Sequence, residues 1–261
     1  MKNQIIILLA FVLISLSFIA CEGEKKVKTD TETENKQTKT VEKCKSLFII
    51  AEDRSGSTSD HRKLTATDYK KVFNQFQQKA DGQIAVRVIG NPAPSEREFF
   101  MLPILSQKEL QEVPQSAKMS IKGKIRKENR LITEENNKIA TKNIHNIDGF
   151  ISEKISKHVL NYHPNKNKDI TNIDDALKHL EMKVNEPTFR NYDNINILIV
   201  SDGLHDATKL KSALIFNPKP RVNVFLIGWK DKSVFNSIAS VDSFESVDGF
   251  IAYYKTLKCK K

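Results

Sequence analysis

Three short segments carry oxygen donors in a pattern that can hold a hard cation. Asp53-Arg54-Ser55-Gly56-Ser57 sets one carboxylate and two hydroxyls at alternate positions, so that they can turn toward one point. Ser201-Asp202-Gly203 adds a second carboxylate, and Thr171, within Asp169-Ile170-Thr171-Asn172, adds a third hydroxyl. Mg²⁺ takes oxygen ligands in near-octahedral geometry and keeps some of its waters, which suits hydroxyls with few carboxylates. Gly56 lets the backbone bend between the two serines. Each segment alone also has an ordinary reading: a serine-rich turn, a capping pair of Thr171 with Asp174, and an Asp-Gly turn. Their occurrence together, each beside a predicted strand end or helix start, is what singles them out.

The elements that must position them follow from hydrophobic patterning. Ser46–Ala51 is a short, nearly continuous apolar run, as expected of a strand buried on both faces. Thr65–Ala80 places Tyr69, Val72, Phe73 and Phe76 at helical spacing, and Ile84–Ile89 reads as a second strand. Phe99–Ile104 is a third strand, confined by Pro103 to a sheet edge and joined to the second as an antiparallel hairpin. Ser120–Tyr162 is long and polar. Its Ile125, Ile132 and Ile139 recur every seven residues, and its Ile147, Ile151 and Ile155 every four, which predicts one or two amphipathic helices. A helix over Ile173–Val184, strands over Ile195–Val200 and Val222–Ile227, and closing helices over Phe235–Ile238 and Phe250–Tyr254 complete the pattern. Strands alternating with helices imply an α/β fold with a mostly parallel sheet. In such sheets ligands sit beyond the carboxyl ends of the strands.

With these residues in place, the stretch from Lys45 to Lys258 resembles a von Willebrand factor A domain. The motif of that family's metal-ion-dependent adhesion site, Asp-x-Ser-x-Ser followed by a distant Thr and then an Asp, is filled in order. The resemblance implies a doubly wound, mostly parallel sheet with one antiparallel edge strand and helices on both faces. It implies that Ser55, Ser57 and Thr171 ligate a divalent metal, with Asp53 and Asp202 ligating directly or through water. Mg²⁺ is the first expectation, with Mn²⁺ and Ca²⁺ as alternatives. The remaining coordination position is then filled by an acidic side chain of a protein partner, so the chain is expected to bind rather than to catalyse. The sequence departs from the minimal family core in the long insertion around 106–162, which is expected to elaborate the region beside the site.

The first residues are of another kind. Lys2, then an apolar run from Ile5 to Ile14, then Ser15-Leu16-Ser17-Phe18-Ile19-Ala20-Cys21 describe an export signal over residues 1–20, too short for a membrane span. The cysteine after Ala20 resembles the lipobox of bacterial lipoproteins, although Phe18 stands where leucine is usual. The resemblance implies a lipidated Cys21 and membrane attachment through lipid. Glu22 rather than Asp after it points, by analogy, to the outer membrane, at its periplasmic face or at the cell surface. Residues 21–43 then form a polar tether, and residues 44–261 the domain. Cys44 and Cys259 bracket the domain, and in an oxidising compartment the pair can close a disulfide or remain as thiols.

The net charge of +10 is spread through 42 basic and 32 acidic residues, which describes a solvated surface and calls for no specific nucleic acid. No phosphate-binding glycine loop, dinucleotide fingerprint, HExxH or GxSxG motif is present, and the cysteines and histidines lack zinc spacing. His61 and His205, close to the candidate ligands, read as solvated loop residues. Two other functions stay open at this stage. One is a metal-dependent hydrolase such as a phosphoesterase, for which no general base is evident. The other is salt-dependent binding of an anionic polymer through the basic run at Lys118, Lys122, Lys124, Arg126, Lys127 and Arg130.

Overall fold

The computed structural model describes residues 43–55, 63–90, 98–162, 173–203, 221–229, 235, 238 and 240–258, all within one compact unit, Thr40–Lys261. The expected signal segment, Cys21 and the tether lie outside the described residues, as do Ser57, Thr171 and Cys259. Among the described residues no helix is long and apolar enough to cross a membrane.

The chain runs β1 (Cys44–Asp53), α1 (Ala66–Lys79), β2 (Ala80–Ile89), β3 (Phe100–Ile104), α2 (Met119–Phe150, continuing as π-helical turns over Ile151–Leu160), α3 (Ile173–Val184), a 3-10 turn at Pro187–Phe189, β4 (Asn194–Val200), β5 (Arg221–Ile227), β6 (Val241–Phe244) and α4 (Val247–Thr256). The six strands form one sheet in the order β3-β2-β1-β4-β5-β6. All neighbours are parallel except β2 and β3. This is the doubly wound, mostly parallel arrangement with an antiparallel edge that the sequence predicts. Pro103 lies on edge strand β3, where a missing N–H costs no ladder bond. β6 was not anticipated. Its four residues, Val241-Asp242-Ser243-Phe244, alternate too briefly to register as a strand. Of the helix expected over Phe235–Ile238, only those two end residues are described.

Alternation along β1 builds a core on each face. Phe48 and Ile50 point toward α1, α2 and α4, where they meet Phe73, Phe76, Ile155, Phe225 and Phe250. Leu47, Ile49 and Ala51 point the other way, onto α3 through Ile173, Leu177 and Leu180. α1 starts with a capping box, in which Thr65 accepts from the Asp68 N–H and the Asp68 side chain accepts from the Thr65 N–H. The four-residue repeat of Ile147, Ile151, Ile155 and Val159 is buried throughout. On a regular α-helix such a repeat drifts by about 40° per step. The wider π-helical turns lower the twist per residue, offset that drift and hold the row over the sheet.

The amino-terminal part of α2 does not cover the sheet. It pairs instead with the segment that follows β3, through three asparagines seven residues apart. Asn143 accepts from the Leu105 N–H (2.9 Å) and donates to the Leu105 carbonyl (3.0 Å). Asn136 grips Lys108 in the same way, at 2.8 Å in both directions. Asn129 does so with Gln111, again at 2.8 Å. Seven helical residues rise about 10.5 Å, and three extended residues span about 9–10 Å, so the two spacings stay in register. Leu110 and Val113 of this strap stay half-buried. Apolar burial therefore contributes little, and the attachment is polar: the asparagine rungs, with Lys108–Glu135 (2.7 Å) and Gln111–Glu128 (3.0 Å) beside them. Replacing Asn143, which is buried, with alanine is expected to lower stability by about 1–3 kcal/mol, since both Leu105 backbone groups lose their partner. The half-buried Asn129 is expected to cost less, about 1 kcal/mol, on the same change. Denaturant midpoints of the two variants, with amide exchange at Leu105, check this.

Candidate functional site

The site is assembled where the winding of the sheet reverses, between β1 and β4. Those two strands run parallel in a register that pairs Glu52 with Val200. The residues after them, Asp53 and Ser201, therefore emerge side by side at the carboxyl edge, the position at which doubly wound sheets bind ligands. Two backbone bonds continue the sheet one residue further: Arg54 N–H donates to the Ile89 carbonyl (3.2 Å) and Ser201 N–H to the Ile227 carbonyl (3.1 Å).

Asp53 is the hub. Its Oδ1 accepts from the Ser55 N–H at 2.9 Å, closing a tight turn, and its Oδ2 accepts from the Ser201 hydroxyl at 2.8 Å. Ser201 Oγ in turn accepts from the Gly203 N–H at 3.0 Å. The Asp53–Ser55 turn and the Ser201–Gly203 turn, 148 residues apart in sequence, are thus tied together through one carboxylate. Gly203 sits at φ +75°, and a Cβ there would lie 2.8 Å from the Trp229 indole. Only glycine combines that backbone conformation with that approach.

Asp53, Ser55 and Ser201 are all buried. Among the described residues Asp53 has only neutral donors, the Ser55 N–H and the Ser201 hydroxyl. A buried carboxylate is costly unless a positive charge accompanies it. Arg54, its neighbour in sequence, does not supply that charge, because its side chain points to the other face of β1. There one Arg54 amino group meets Glu52 Oε1 at 2.8 Å and donates to the Leu64 carbonyl at 2.6 Å. Glu52 is buried and also accepts from the Leu64 N–H (2.6 Å) and from the Tyr69 hydroxyl. Burial pushes its carboxyl above the usual range, and the Arg54 guanidinium opposes that shift. Tyr69 is pushed well up by burial and by the Glu52 charge beside it. The Glu52–Arg54 pair thus ties Leu64 to the end of β1, on either side of the sequence segment that contains Ser57.

On the opposite face, buried Arg87 of β2 reaches Asp175 in the first turn of α3 (3.2 Å). His179 Nδ1 lies 3.4 Å from the same carboxylate oxygen. This pair fixes the start of the helix that follows Thr171.

Of the five ligands expected from the sequence, the fold brings Asp53 and Ser55 to the crevice, with Asp202 directly after Ser201 at the same strand end. Ser57 and Thr171 lie outside the described residues. The donors in place are oxygens, as a hard cation requires. Among the described residues no three of His, Cys, Asp and Glu cluster as a metal site. A hydroxyl-rich site would not take that form. Ser201 was missed as a member of the site, as were Glu52, Arg54 and Tyr69. The signal for the pair was legible, since Glu52 and Arg54 are opposite charges two residues apart, hence on one face, at the end of an apolar strand. Cys44, at the other end of β1, is disulfide-bonded, and its partner cysteine lies outside the described residues.

The sequence matches no family model and no curated protein. Among solved structures, the fold is similar to the open conformation of the pilus adhesin SpaC from Lactobacillus rhamnosus GG. The TM-score is 0.36 and the identity 11%, over 82% of this chain. The match spans only 30% of the adhesin's length.

Proposed function

We propose that the chain is a lipid-anchored envelope protein whose α/β domain holds a divalent cation, Mg²⁺ foremost, and through it binds an acidic side chain of a protein partner. Asp53, Ser55, Ser57, Thr171 and Asp202 would hold the cation, in the manner of the adhesion site of von Willebrand factor A domains. Cys21 would carry the lipid. The observation that carries this reading is the buried Asp53 carboxylate, which faces neutral donors at the crevice between β1 and β4. A cation there meets the charge that the carboxylate otherwise lacks. When bound, it would supply an open coordination position attractive to a carboxylate. The protein's part is to fix the oxygens. β1 and β4 set Asp53 and Asp202 on adjacent strand ends, and the Glu52–Arg54 pair ties Leu64 to the end of β1.

The test uses the full chain as bait for envelope extracts, with Mg²⁺ or with EDTA. A partner is expected to be retained with Mg²⁺ and released by EDTA. Asp202→Ala is expected to lower retention by about tenfold or more, equivalent to at least about 1.4 kcal/mol, with an unchanged circular dichroism spectrum. Equal capture with EDTA, or by the variant, would overturn the reading. Turnover of generic phosphoesters would favour a hydrolase instead.

A further inference from the structure

A second polar site lies at the opposite end of the sheet. β1 spans Cys44 to Asp53, nine steps of about 3.3 Å, which puts its first residue roughly 30 Å from Asp53. There, on the face toward α4, the strands begin with side chains that do not suit a core. Ser46, Asn194 and Asn196 are buried, and Asn223 is half-buried beside them. One turn further along, the same face is apolar, with Phe48, Leu198 and Phe225 under Phe250 and Tyr254. Helix α4 ends at Thr256, above these polar residues. Lys79 secures that end by donating to the Tyr254 and Leu257 carbonyls, both at 2.6 Å. What remains between helix end and strand starts is a cavity of about 740 Å³.

The chemistry of its wall is one-sided. Lys79, Arg221, Lys255 and Lys258 line it, and among the described residues no Asp or Glu does. The floor supplies donors and acceptors. Asn223 donates to Asn196 Oδ1 at 2.9 Å, and no described residue engages the Asn196 amide N–H groups. Tyr254 is a buried residue that lines the cavity, and its hydroxyl engages no described residue, although the phenol of a buried tyrosine ordinarily finds a partner. Its burial raises the phenol's pKa well above the ordinary value, so it stays a neutral donor.

We propose that this cavity binds a small acidic sugar, a hydroxyl-rich ring carrying one carboxylate or phosphate, with the anion toward Arg221 and Lys258 and the hydroxyls on the asparagine floor and Tyr254. The excess of lining cations, with Asp242 set behind Tyr253 as the nearby carboxylate, selects the charge, and carboxamides select a ligand that both donates and accepts. The proposal is independent of the cation site, so all measurements are made in EDTA.

The test is calorimetric titration of the full chain, in mild detergent, with D-glucuronate, glucose 6-phosphate, neutral glucose and inorganic phosphate. At least one acidic sugar is expected to bind at least about tenfold more tightly than glucose or inorganic phosphate, a difference of about 1.4 kcal/mol. Whether the carboxylate or the phosphate binds tighter identifies the anion. Arg221→Gln changes an exposed residue, and Tyr254→Phe removes only an oxygen. Each is expected to weaken acidic-sugar binding by about tenfold while the melting temperature is kept. Equal binding of all four probes, inorganic phosphate binding as well as glucose 6-phosphate, or unchanged affinity in both variants would overturn the proposal.

Discussion

Replacing Asp53 with alanine is expected to abolish Mg²⁺-dependent stabilisation of the domain. For the unaltered chain, Mg²⁺ at one hundred times its Kd would add about 2.7 kcal/mol, several degrees in Tm for a domain of this size. Asp53→Ala removes the carboxylate that joins the two turns of the site. The increment should therefore vanish. The metal-free protein should also lose about 1–3 kcal/mol, because the buried Ser55 N–H and Ser201 hydroxyl are left without their acceptor. Asp53→Asn separates these effects. An amide oxygen can still accept from one of the two donors, so most metal-free stability should persist, while the charge that attracts the cation is gone. Melting curves of all three proteins in EDTA and in Mg²⁺ decide the matter. A Mg²⁺ shift of undiminished size in either variant would remove Asp53 from the site.

The second large effect is expected at Arg54. Arg54→Met keeps an apolar stem but strands Glu52, which is buried and paired with the guanidinium at 2.8 Å. Removing one partner of a buried ion pair costs about 3–5 kcal/mol. The sign of the pH dependence follows from the direction of the Glu52 shift. Burial raises its pKa above the ordinary 4.5, and Arg54 opposes the rise. A carboxyl whose folded pKa is raised contributes most stability below its unfolded pKa and loses that contribution as pH climbs through the folded one. Without Arg54 the folded pKa rises further, and the loss becomes larger. The stability gap between Arg54→Met and the unaltered chain should therefore widen from about pH 4 to about pH 8. Chemical denaturation in EDTA, which keeps the cation out of the comparison, checks this. A gap that narrows as pH rises would mean that Glu52 is not the group Arg54 serves.

These residues also show which parts of the molecule can be read from the chain alone. β1, β4 and β5 are legible because strands buried on both faces must be continuous apolar runs. α1 is legible because its aromatic residues fall on one helical face and Thr65 with Asp68 forms its start. Asp53 could be picked out because it opens an Asp-x-Ser-x-Ser pattern at the end of a buried strand and is joined by Thr171 and Asp202 in the order of a known motif. Ser201 could not. Its hydroxyl matters only because the β1–β4 register sets it opposite Asp53, and register between strands 148 residues apart leaves no local trace. β6 was lost because four alternating residues are indistinguishable from a loop. The heptad of isoleucines in α2 did mark a helix. The asparagines beside them, also seven apart, were passed over because a polar residue on a helix ordinarily faces solvent.

That row of asparagines sets how the strap responds to force. Its six hydrogen bonds all go to backbone atoms. They ignore the identity of the strap's side chains, but their three-residue beat is broken by a single inserted residue. Tension applied along the helix axis would load all three rungs together, and they would have to fail at once. Tension applied outward at one end would open them one after another. The same six bonds should therefore resist sliding far better than peeling, so that the direction of a pull, more than its size, decides whether the strap stays closed.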